Sequence, residues 1–304
     1  MIVVVGEALI DVVKGASSTV TEEVGGAAVN VATTLGRLDV PTLLVSQVGD
    51  DEHGSRIIEH LGNAGVEVVL APTHDNRTAT ATATLTADGS ASYDFDIGWT
   101  LPAQELPACD ALYVGGLGTL IEPGRDSVLD LVDQAYARDV SVCYDPNVRP
   151  AFVDSPDQVW RDVEALAERC TVVKISDADV ELLLPGAAPE DVARSLLEGE
   201  RTELVVLTRG ADGATAFVPG NEVSVGGAEV KVVDTVGAGD AFVGALIATL
   251  YESEGLSRYG AGIPADDAGL ERLLNAASQV AAITCTRRGA QPPTRPELPA
   301  TWPN

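Results

Sequence analysis

The sequence is short of positive charge and of aromatic side chains. Its 304 residues include 19 lysines and arginines against 46 aspartates and glutamates, which gives a formal net charge of −27, and only 4% are aromatic. So acidic a surface repels nucleic acid and anionic membranes, and it disfavours both as partners. A nucleotide site would need a local cation, such as a divalent metal, together with backbone N–H groups. The alternative interpretation of the charge is a solubility or salt adaptation.

Several familiar signatures are also missing. The four cysteines form no C-x-x-C pair, so neither a zinc site nor a disulfide framework is expected. The absence of G-x-x-x-x-G-K-[ST] argues against an ordinary P-loop ATPase, and no G-x-G-x-x-G follows the first apolar run. That run, residues 1–13, contains Glu7 and Asp11 and has no basic flank, so we expect neither a signal peptide nor a membrane span. We therefore expect a soluble, cytoplasmic protein.

Short runs of valine, isoleucine and leucine alternate with longer stretches of helical periodicity. This alternation predicts βαβ units and a mainly parallel sheet with helices on both faces, in one domain over 1–304. Active sites in such sheets lie at the carboxyl ends of the strands. The predicted strands are 2–5, 42–45, 111–114, 141–144, 172–175 and 204–208, and the predicted helices are 52–64, 124–137, 158–168 and 189–197.

One segment departs from this pattern. Residues 78–86 alternate threonine with small apolar residues, an Asp-Gly pair follows at 88–89, and a second run covers 91–97. The alternation predicts a β-hairpin with one buried face, either a flap over a ligand or an ordinary edge hairpin. The five prolines of 291–304 predict a surface strap.

The stretch DTVGAGDAF at 234–242 carries the clearest chemistry. It lies between a predicted strand, 230–233, and an apolar helix that we expect to begin near Ala241. Small residues at Gly237, Ala238 and Gly239 let backbone N–H groups converge into an anion site at the helix N-terminus. Asp240 beside it could take a proton from a hydroxyl that attacks a bound phosphorus, or it could simply cap the helix.

The resemblance to a known family is carried by two signatures about 200 residues apart. GGAAVNVA at 25–32 continues into LGRL at 35–38 and VGDDEHG at 48–54, and DTVGAGDAF follows in the expected order. Together they resemble the ribokinase-like (PfkB) carbohydrate kinases, from Gly6 to about Pro293. The resemblance implies a ribokinase-like three-layer α/β/α sandwich with a mainly parallel central sheet. It also implies a small β-sheet lid, formed by about 12–24 and 75–100.

The resemblance also assigns roles to individual positions. Asp240 would be the catalytic base, and the backbone at Gly237, Ala238 and Gly239 would hold the developing charge. The sugar-binding residues would be Asp11, Gly25, Gly26, Asn30, Arg149 and Asp240. ATP would lie along Lys174, Ser176, Thr208, Gly210, Gly213, Gly237, Gly239 and Asn275.

The metal sites follow the family less closely. Many members carry N-x-x-E after the strand that precedes Ser176, whereas this chain has Ser176-Asp177-Ala178-Asp179. Serine and aspartate still supply oxygen ligands, so Asp179 is the expected Mg²⁺ ligand, directly or through water. The family's monovalent-cation loop, which would bind K⁺, falls near Asp234 and Val236.

The substrate implied by the resemblance is a small sugar. The D-P-N-x-R element at 145–149 and the hairpin running to residue 99 look most like the bacterial fructokinases, which predicts conversion of fructose to fructose 6-phosphate. Ribose, 2-keto-3-deoxygluconate and nucleosides stay open as acceptors. A non-catalytic sugar or nucleotide sensor and a dehydrogenase are the competing classes. Family members often dimerise through their flaps, so a homodimer is a further expectation.

Overall fold

The chain is described here by a computed structural model, which covers residues 1–15, 20–85, 91–256 and 262–303. Runs rich in valine and isoleucine form the strands of a nine-stranded sheet, which we call the large sheet. The six predicted strands that begin at residues 2, 42, 111, 141, 172 and 204 all lie in it. Its strands are β1 Ile2–Val5, β4 Thr42–Val48, β5 Glu67–Pro72, β8 Ala111–Gly115, β9 Ser141–Asp145, β10 Val172–Ser176, β11 Leu204–Thr208, β12 Ala214–Val218 and β13 Asn221–Val225.

The large sheet is parallel except at one edge. Its order is β13-β12-β11-β10-β9-β8-β1-β4-β5, and only β12 and β13 run antiparallel to their neighbours. All four residues of β1 are fully buried, as expected for a strand covered on both faces. The carboxyl ends of β1, β8, β9, β10 and β11 therefore meet along one edge of the sheet.

Helices cover both faces of the large sheet, so the three-layer α/β/α sandwich is confirmed. Each layer of helices packs on its own hydrophobic cluster. In the part of the chain that the structure describes, no helix is long and apolar enough to cross a membrane. One layer contains α1 Ala27–Arg37, α2 Glu52–Asn63, α7 Ala238–Glu252 and α8 Asp267–Cys285, and the other contains α3 Gly124–Ala137, α4 Pro156–Ala167, α5 Asp177–Leu183 and α6 Pro189–Leu197.

A separate four-stranded sheet, which we call the small sheet, has the order β3-β2-β6-β7. Its strands are β2 Leu9–Lys14, β3 Val20–Gly25, β6 Ala79–Leu85 and β7 Ala91–Asp96. The predicted pairing of the hairpin strands is present, with Ala81 opposite Phe95. The predicted Asp-Gly turn lies outside the described residues.

The expected single buried face of β6 is wrong. Residues 79–83 are all half-buried, alanine and threonine alike, and Thr84 is exposed. β6 lies in the small sheet, between β2 and β7, and not in the large sheet between the two helix layers, and its small side chains leave little surface to bury. The small sheet is therefore held mainly by its backbone pairing and by β2, whose Ile10 and Val12 reach the core.

Two further expectations near the C-terminus need correction. Residues 230–233 form no strand, and Val232 and Val233 are 56% and 61% exposed. Helix α7 begins at Ala238 rather than near Ala241. The segment is tied instead to the end of α8, because the N–H of Val233 donates to the carbonyl of Cys285 at 2.8 Å. The proline-rich tail is anchored by the buried side chains of Leu298 and Trp302.

Candidate active site

The residues singled out in the sequence gather at the carboxyl edge of the large sheet. β9 ends at Asp145 and leads into Asn147 and Arg149, while β10 carries Lys174 and ends at Ser176. The N-termini of α1 and α7 point at this edge, and they bring Asn30 and Asp240 together. Residues more than 200 positions apart in the sequence thus share one site.

The N-terminus of α7 provides free backbone donors. Gly237 caps the helix in the left-handed conformation, φ +73°, and a Cβ on it would lie 2.4 Å from the Cβ of Ala290, so only glycine fits. The N–H groups of Gly239 and Asp240 have no backbone partner among the described residues. Ala238 differs from the expectation, because its N–H already donates to the carbonyl of Thr235 at 3.2 Å.

The Asp240 carboxylate is held from both sides by amides. Asn30 donates from Nδ2 to Oδ2 at 2.7 Å, and Asn147 donates from Nδ2 to Oδ1 at 2.8 Å. Asp240 is only 5% exposed, so these two bonds replace most of its hydration. A helix cap by the Asp240 side chain is absent among the hydrogen bonds of the described residues, which favours the reading of Asp240 as a functional group.

A buried ion pair lies beside the helix N-terminus. Lys174 Nζ stands 3.2 and 3.4 Å from the two oxygens of Asp145, and both side chains are almost completely buried. Burial alone would lower the pKa of Lys174, but the carboxylates of Asp145 and Asp179 more than offset it, and the pKa is raised. The ammonium therefore stays charged, and it lies 3.8 Å from where a Cβ on Gly239 would be.

Asp11 faces the same edge from the small sheet and has no hydrogen-bond partner in the part of the chain that the structure describes. Its carboxylate forms no hydrogen bond with any described residue, and a Cβ on Gly25 would lie 2.1 Å from its Oδ2. Burial raises the pKa of Asp11 to about 6, while Arg149 acts to lower it and Asp240 to raise it. A half-buried carboxylate without a protein donor is suited to a ligand that supplies hydroxyl groups.

Gly26 and Glu7 secure the start of α1. Gly26 is the N-cap at φ +101°, and a Cβ there would lie 2.5 Å from the Glu7 carbonyl oxygen. The buried Glu7 carboxylate accepts from Ala27 N at 3.0 Å and from Gly118 N at 2.9 Å. Burial raises its pKa. The sequence analysis gave Glu7 no role, although an acidic residue two positions after an apolar predicted strand was a signal that could have found it.

Ser176 and Asp179 form the cap of α5. Ser176 Oγ accepts from Asp179 N at 3.0 Å and donates to Asp179 Oδ2 at 2.6 Å, and Val148 N donates to Asp179 Oδ1 at 2.9 Å. Both oxygens of Asp179 are therefore engaged within the protein and tie the Asn147–Arg149 loop to α5. A metal ligand role for Asp179 stays a prediction.

The remaining nucleotide and cation candidates lie around this centre. Thr208 pairs with Ser176 across β10 and β11, and Gly210 and Gly213 adopt positive φ in the following loop. Asn275 is exposed on α8. Asp234 closes its own loop, because its oxygens accept from Val236 N at 3.1 Å and Gly289 N at 2.9 Å. Within the described ranges, none of these residues hydrogen-bonds to Asp240 or Lys174.

Comparison with known proteins agrees with this fold and assigns the chain to a family. A family model, the pfkB family carbohydrate kinase, matches residues 1–297. A fructokinase of Rhizobium leguminosarum bv. trifolii is 33% identical over 268 residues, covering 82% of this chain and 79% of the relative. Fructokinase-2 of Solanum habrochaites is 30% identical over 309 residues, covering 96% and 92%. The chain belongs to the pfkB family of carbohydrate kinases.

Solved structures support the same assignment. A fructokinase from Vibrio cholerae O395, in a form with bound fructose, ADP and calcium ion, matches with a TM-score of 0.79 and 26% identity over 95% of this chain and 94% of that one. An aminoimidazole riboside kinase from Salmonella enterica matches with a TM-score of 0.81 at 24% identity, over 95% and 94%, and is evidence for the fold alone. The predicted family, fold and carbohydrate kinase class are confirmed.

Proposed function

We propose that this carbohydrate kinase is a fructokinase. It transfers the γ-phosphoryl group of ATP to the terminal hydroxyl of fructose and so forms fructose 6-phosphate. The observation that carries the proposal is the placement of Asp240. Its buried carboxylate is oriented by Asn30 and Asn147, one residue from the unpaired N–H of Gly239. A base and an anion site are thus adjacent, as a hydroxyl attacking a phosphoryl group requires.

The chemistry follows from these two parts. As the sugar oxygen forms its bond to the γ-phosphorus, Asp240 takes the hydroxyl proton, and the bond between that phosphorus and the β,γ-bridging oxygen breaks, so ADP leaves with the electron pair. The N–H groups of Gly239 and Asp240, with the Lys174 ammonium, stabilise the negative charge on the transferred group. The net charge of the chain is −27, so the protein as a whole repels ATP. The N–H groups and the Lys174 ammonium offset this repulsion at the site.

The residues present fit a polyphosphate that arrives with a divalent cation. The described residues hold no group of three or more His, Cys, Asp or Glu side chains able to bind a metal. Mg²⁺ commonly takes most of its ligands from phosphates and water, and when bound it would neutralise phosphate charge. Asp179 would contribute to such a site through water, and K⁺ would occupy the loop of Asp234 and Val236. The ATP itself would extend over Ser176, Thr208, Gly210, Gly213 and Asn275.

The sugar would lie between the small sheet and the N-terminus of α1. Asp11 and Asn30 can each bind neighbouring hydroxyls, and Arg149 supplies donors. The backbone of Gly25 and Gly26 would border the sugar, and the missing side chains let Asp11 Oδ2 and the Glu7 carbonyl approach that backbone closely. The unpaired state of Asp11 supports this assignment, because a sugar hydroxyl would provide its missing donor. The names of the related fructokinases from Rhizobium and Solanum favour fructose among the possible sugars.

The small sheet would act as a lid, with bounds near 12–24 and 75–100. Phe95 of β7 meets Phe152, which follows Arg149 in the chain, edge to face with ring centroids 5.1 Å apart. This contact joins the small sheet to the loop that carries Asn147. A lid at this position would exclude water, which otherwise competes with the sugar for the phosphoryl group. A homodimer formed through the small sheets and a cytoplasmic location complete the proposal.

The experiment is a measurement of ADP release from Mg–ATP with fructose, ribose, 2-keto-3-deoxygluconate, adenosine and buffer alone. Fructose should give the highest kcat/KM, and buffer alone should give little ADP. Clear preference for another acceptor would replace fructose as the substrate. ADP release that no acceptor stimulates, together with tight sugar binding by calorimetry, would instead favour a sensor.

A further inference from the structure

Asn147 has an unusual conformation and two opposed contacts. It is one of the few described non-glycine residues with positive φ, at +42°. Its Nδ2 donates to Asp240 Oδ1 at 2.8 Å, and its Oδ1 accepts from Arg149 Nη1. The Asn147 side chain therefore connects the Arg149 guanidinium to the Asp240 carboxylate, which is the base in the proposed function.

The chemistry of these neighbours fixes the direction of the amide. A guanidinium has donors only, so the oxygen of Asn147 must face Arg149. The NH₂ group is then left to face Asp240, which as a carboxylate can only accept. Asn30 contributes the second donor, to the other oxygen of Asp240. The Asp240 carboxylate cannot rotate away from these two donors without losing a charge-assisted hydrogen bond.

The backbone around Asn147 is fixed by a neighbouring hydrogen bond. Val148, next to Asn147, donates its N–H to Asp179 Oδ1 at 2.9 Å, and Asp179 is itself fixed in the cap of α5. Asparagine tolerates a left-handed conformation better than most residues. The loop can therefore present the amide at this position with little strain.

We propose that Asn147 is a positioning residue for phosphoryl transfer, and that Arg149 sets the polarity of its amide so that it donates to Asp240. The inference rests on the proposed function, in which Asp240 takes the proton of the sugar hydroxyl. Asn147 acts through Asp240 and is not required to touch either substrate. Its contribution therefore appears in kcat and in the pH profile rather than in the KM for ATP.

Two variants of Asn147 separate the effect of its hydrogen-bond donation to Asp240 from the effect of the loop conformation. Asn147→Gly removes the amide and accepts the left-handed backbone without strain. Asn147→Asp keeps the shape and the contact with Arg149, but it replaces the donor by a negative charge. Asp39→Gly is the matched control, since Asp39 also has positive φ, at +63°, and lies exposed in the turn after α1. For each protein we would measure kcat, both KM values, thermal stability and the kcat–pH profile with fructose.

We expect Asn147→Gly to lower kcat on the order of 10-fold, and Asn147→Asp on the order of 100-fold, by loss of orientation. In Asn147→Asp the acidic limb of the profile should also move to higher pH, because a like charge beside the base disfavours its ionisation. The KM for ATP should stay within about threefold in both, as for an interaction made through the base. The control should keep wild-type kcat.

The outcomes distinguish the inference from the proposed function. With an active wild-type protein, wild-type kcat in a folded Asn147→Gly variant would overturn the inference alone, and so would wild-type kcat with an unmoved acidic limb in a folded Asn147→Asp variant. A wild-type protein that phosphorylates no acceptor would overturn the proposed function and the inference with it. Should one variant fail to fold, the other decides by the readouts predicted for it.

Discussion

The large sheet and the small sheet are built from different residues and are buried to different degrees. Val3, Val4 and Val5 of β1 are fully buried between two helix layers, whereas β6 is a ladder of alanine and threonine that remains half-exposed. The site lies where the two meet. Asp240, on the large-sheet side, has two amide donors, while Asp11, on the small sheet, has none among the described residues.

This difference separates two requirements of a kinase site. A reacting group gains from a fixed orientation, which the packed large sheet and the start of α7 supply. A group that recognises the substrate must keep free hydrogen-bonding capacity. Asp11, the sugar ligand in the proposed function, does so at a cost in stability, because its burial raises its pKa to about 6. The first three predictions below each change one side of the site and leave the other intact, and the last changes the contact between the two sides.

The largest effect is expected at Asp240. Asp240→Asn removes the base but retains the size of the side chain, so turnover with fructose should fall by about 10²–10⁴-fold. Nucleotide affinity and thermal stability should stay close to wild type, because the Lys174 and α7 contacts remain. Steady-state ADP release combined with nucleotide titration checks this. A variant that retains most of its turnover would show that Asp240 is not the base.

The next largest effect is expected at the Lys174–Asp145 ion pair, which also lies on the large-sheet side of the site. Lys174→Met leaves Asp145 buried without its cation, which should destabilise the fold by about 3–5 kcal/mol. It should also lower kcat/KM for ATP on the order of 100-fold, because one positive charge at the anion site is lost. Chemical denaturation and kinetics are the measurements.

The double variant Lys174→Met with Asp145→Asn is the control for that prediction. It removes the unpaired charge and should recover much of the lost stability without recovering activity. If activity returned together with stability, Lys174 would be a structural residue only.

On the small sheet, Asp11→Asn should have opposite effects on binding and stability. The raised pKa of Asp11 means that its stabilising contribution is complete below about pH 4 and is lost as pH rises through about 6. The variant should therefore be more stable than wild type at pH 8, by at most about 3 kcal/mol, and similar at pH 4. Its KM for fructose should rise.

Denaturation of both proteins at the two pH values measures this difference, with Asp39→Asn at an exposed turn as the control for a lost surface charge. An Asp11→Asn protein that is no more stable than wild type at pH 8 would mean that the carboxylate is better solvated than its burial indicates.

The smallest effect is expected from the contact between the two parts. Phe152→Ala removes the ring that meets Phe95, so the KM for fructose should rise by about 5-fold, the equivalent of an aromatic pair of ~1 kcal/mol. Sugar-independent ADP release should rise as well, while the KM for ATP stays near wild type. Phe152→Leu keeps an apolar contact with Phe95, so its KM for fructose should lie between those of the wild type and of Phe152→Ala. Unchanged fructose KM in Phe152→Ala would argue against closure through this contact.

The sequence predicted the large sheet well because its strands carry unmistakable runs of β-branched residues. The helix bounds at 124–137 and 189–197 were also correct, since their apolar periodicity is regular. Residues 230–233 show the limit of this reasoning. Their valines look like a buried strand, but they are exposed, and only tertiary contacts with α8 determine their conformation.

The site was predictable in its residue types but not in its connections. The signatures indicated Asp240 and Asn30, whereas the second donor, Asn147, depends on a left-handed backbone in a loop 93 residues away in the sequence. Glu7 was missed for a related reason. Its two partners, Ala27 and Gly118, are brought together only by the order of strands in the large sheet.

The most direct test of the account is to identify the oxygen that carries the phosphate after reaction with fructose, by phosphorus–proton correlated NMR of the product. The account predicts fructose 6-phosphate in equal amount to the ADP formed. Phosphate on another oxygen, or inorganic phosphate in place of a sugar phosphate, would contradict a site in which Asp240 directs the terminal hydroxyl to ATP and the small sheet excludes water.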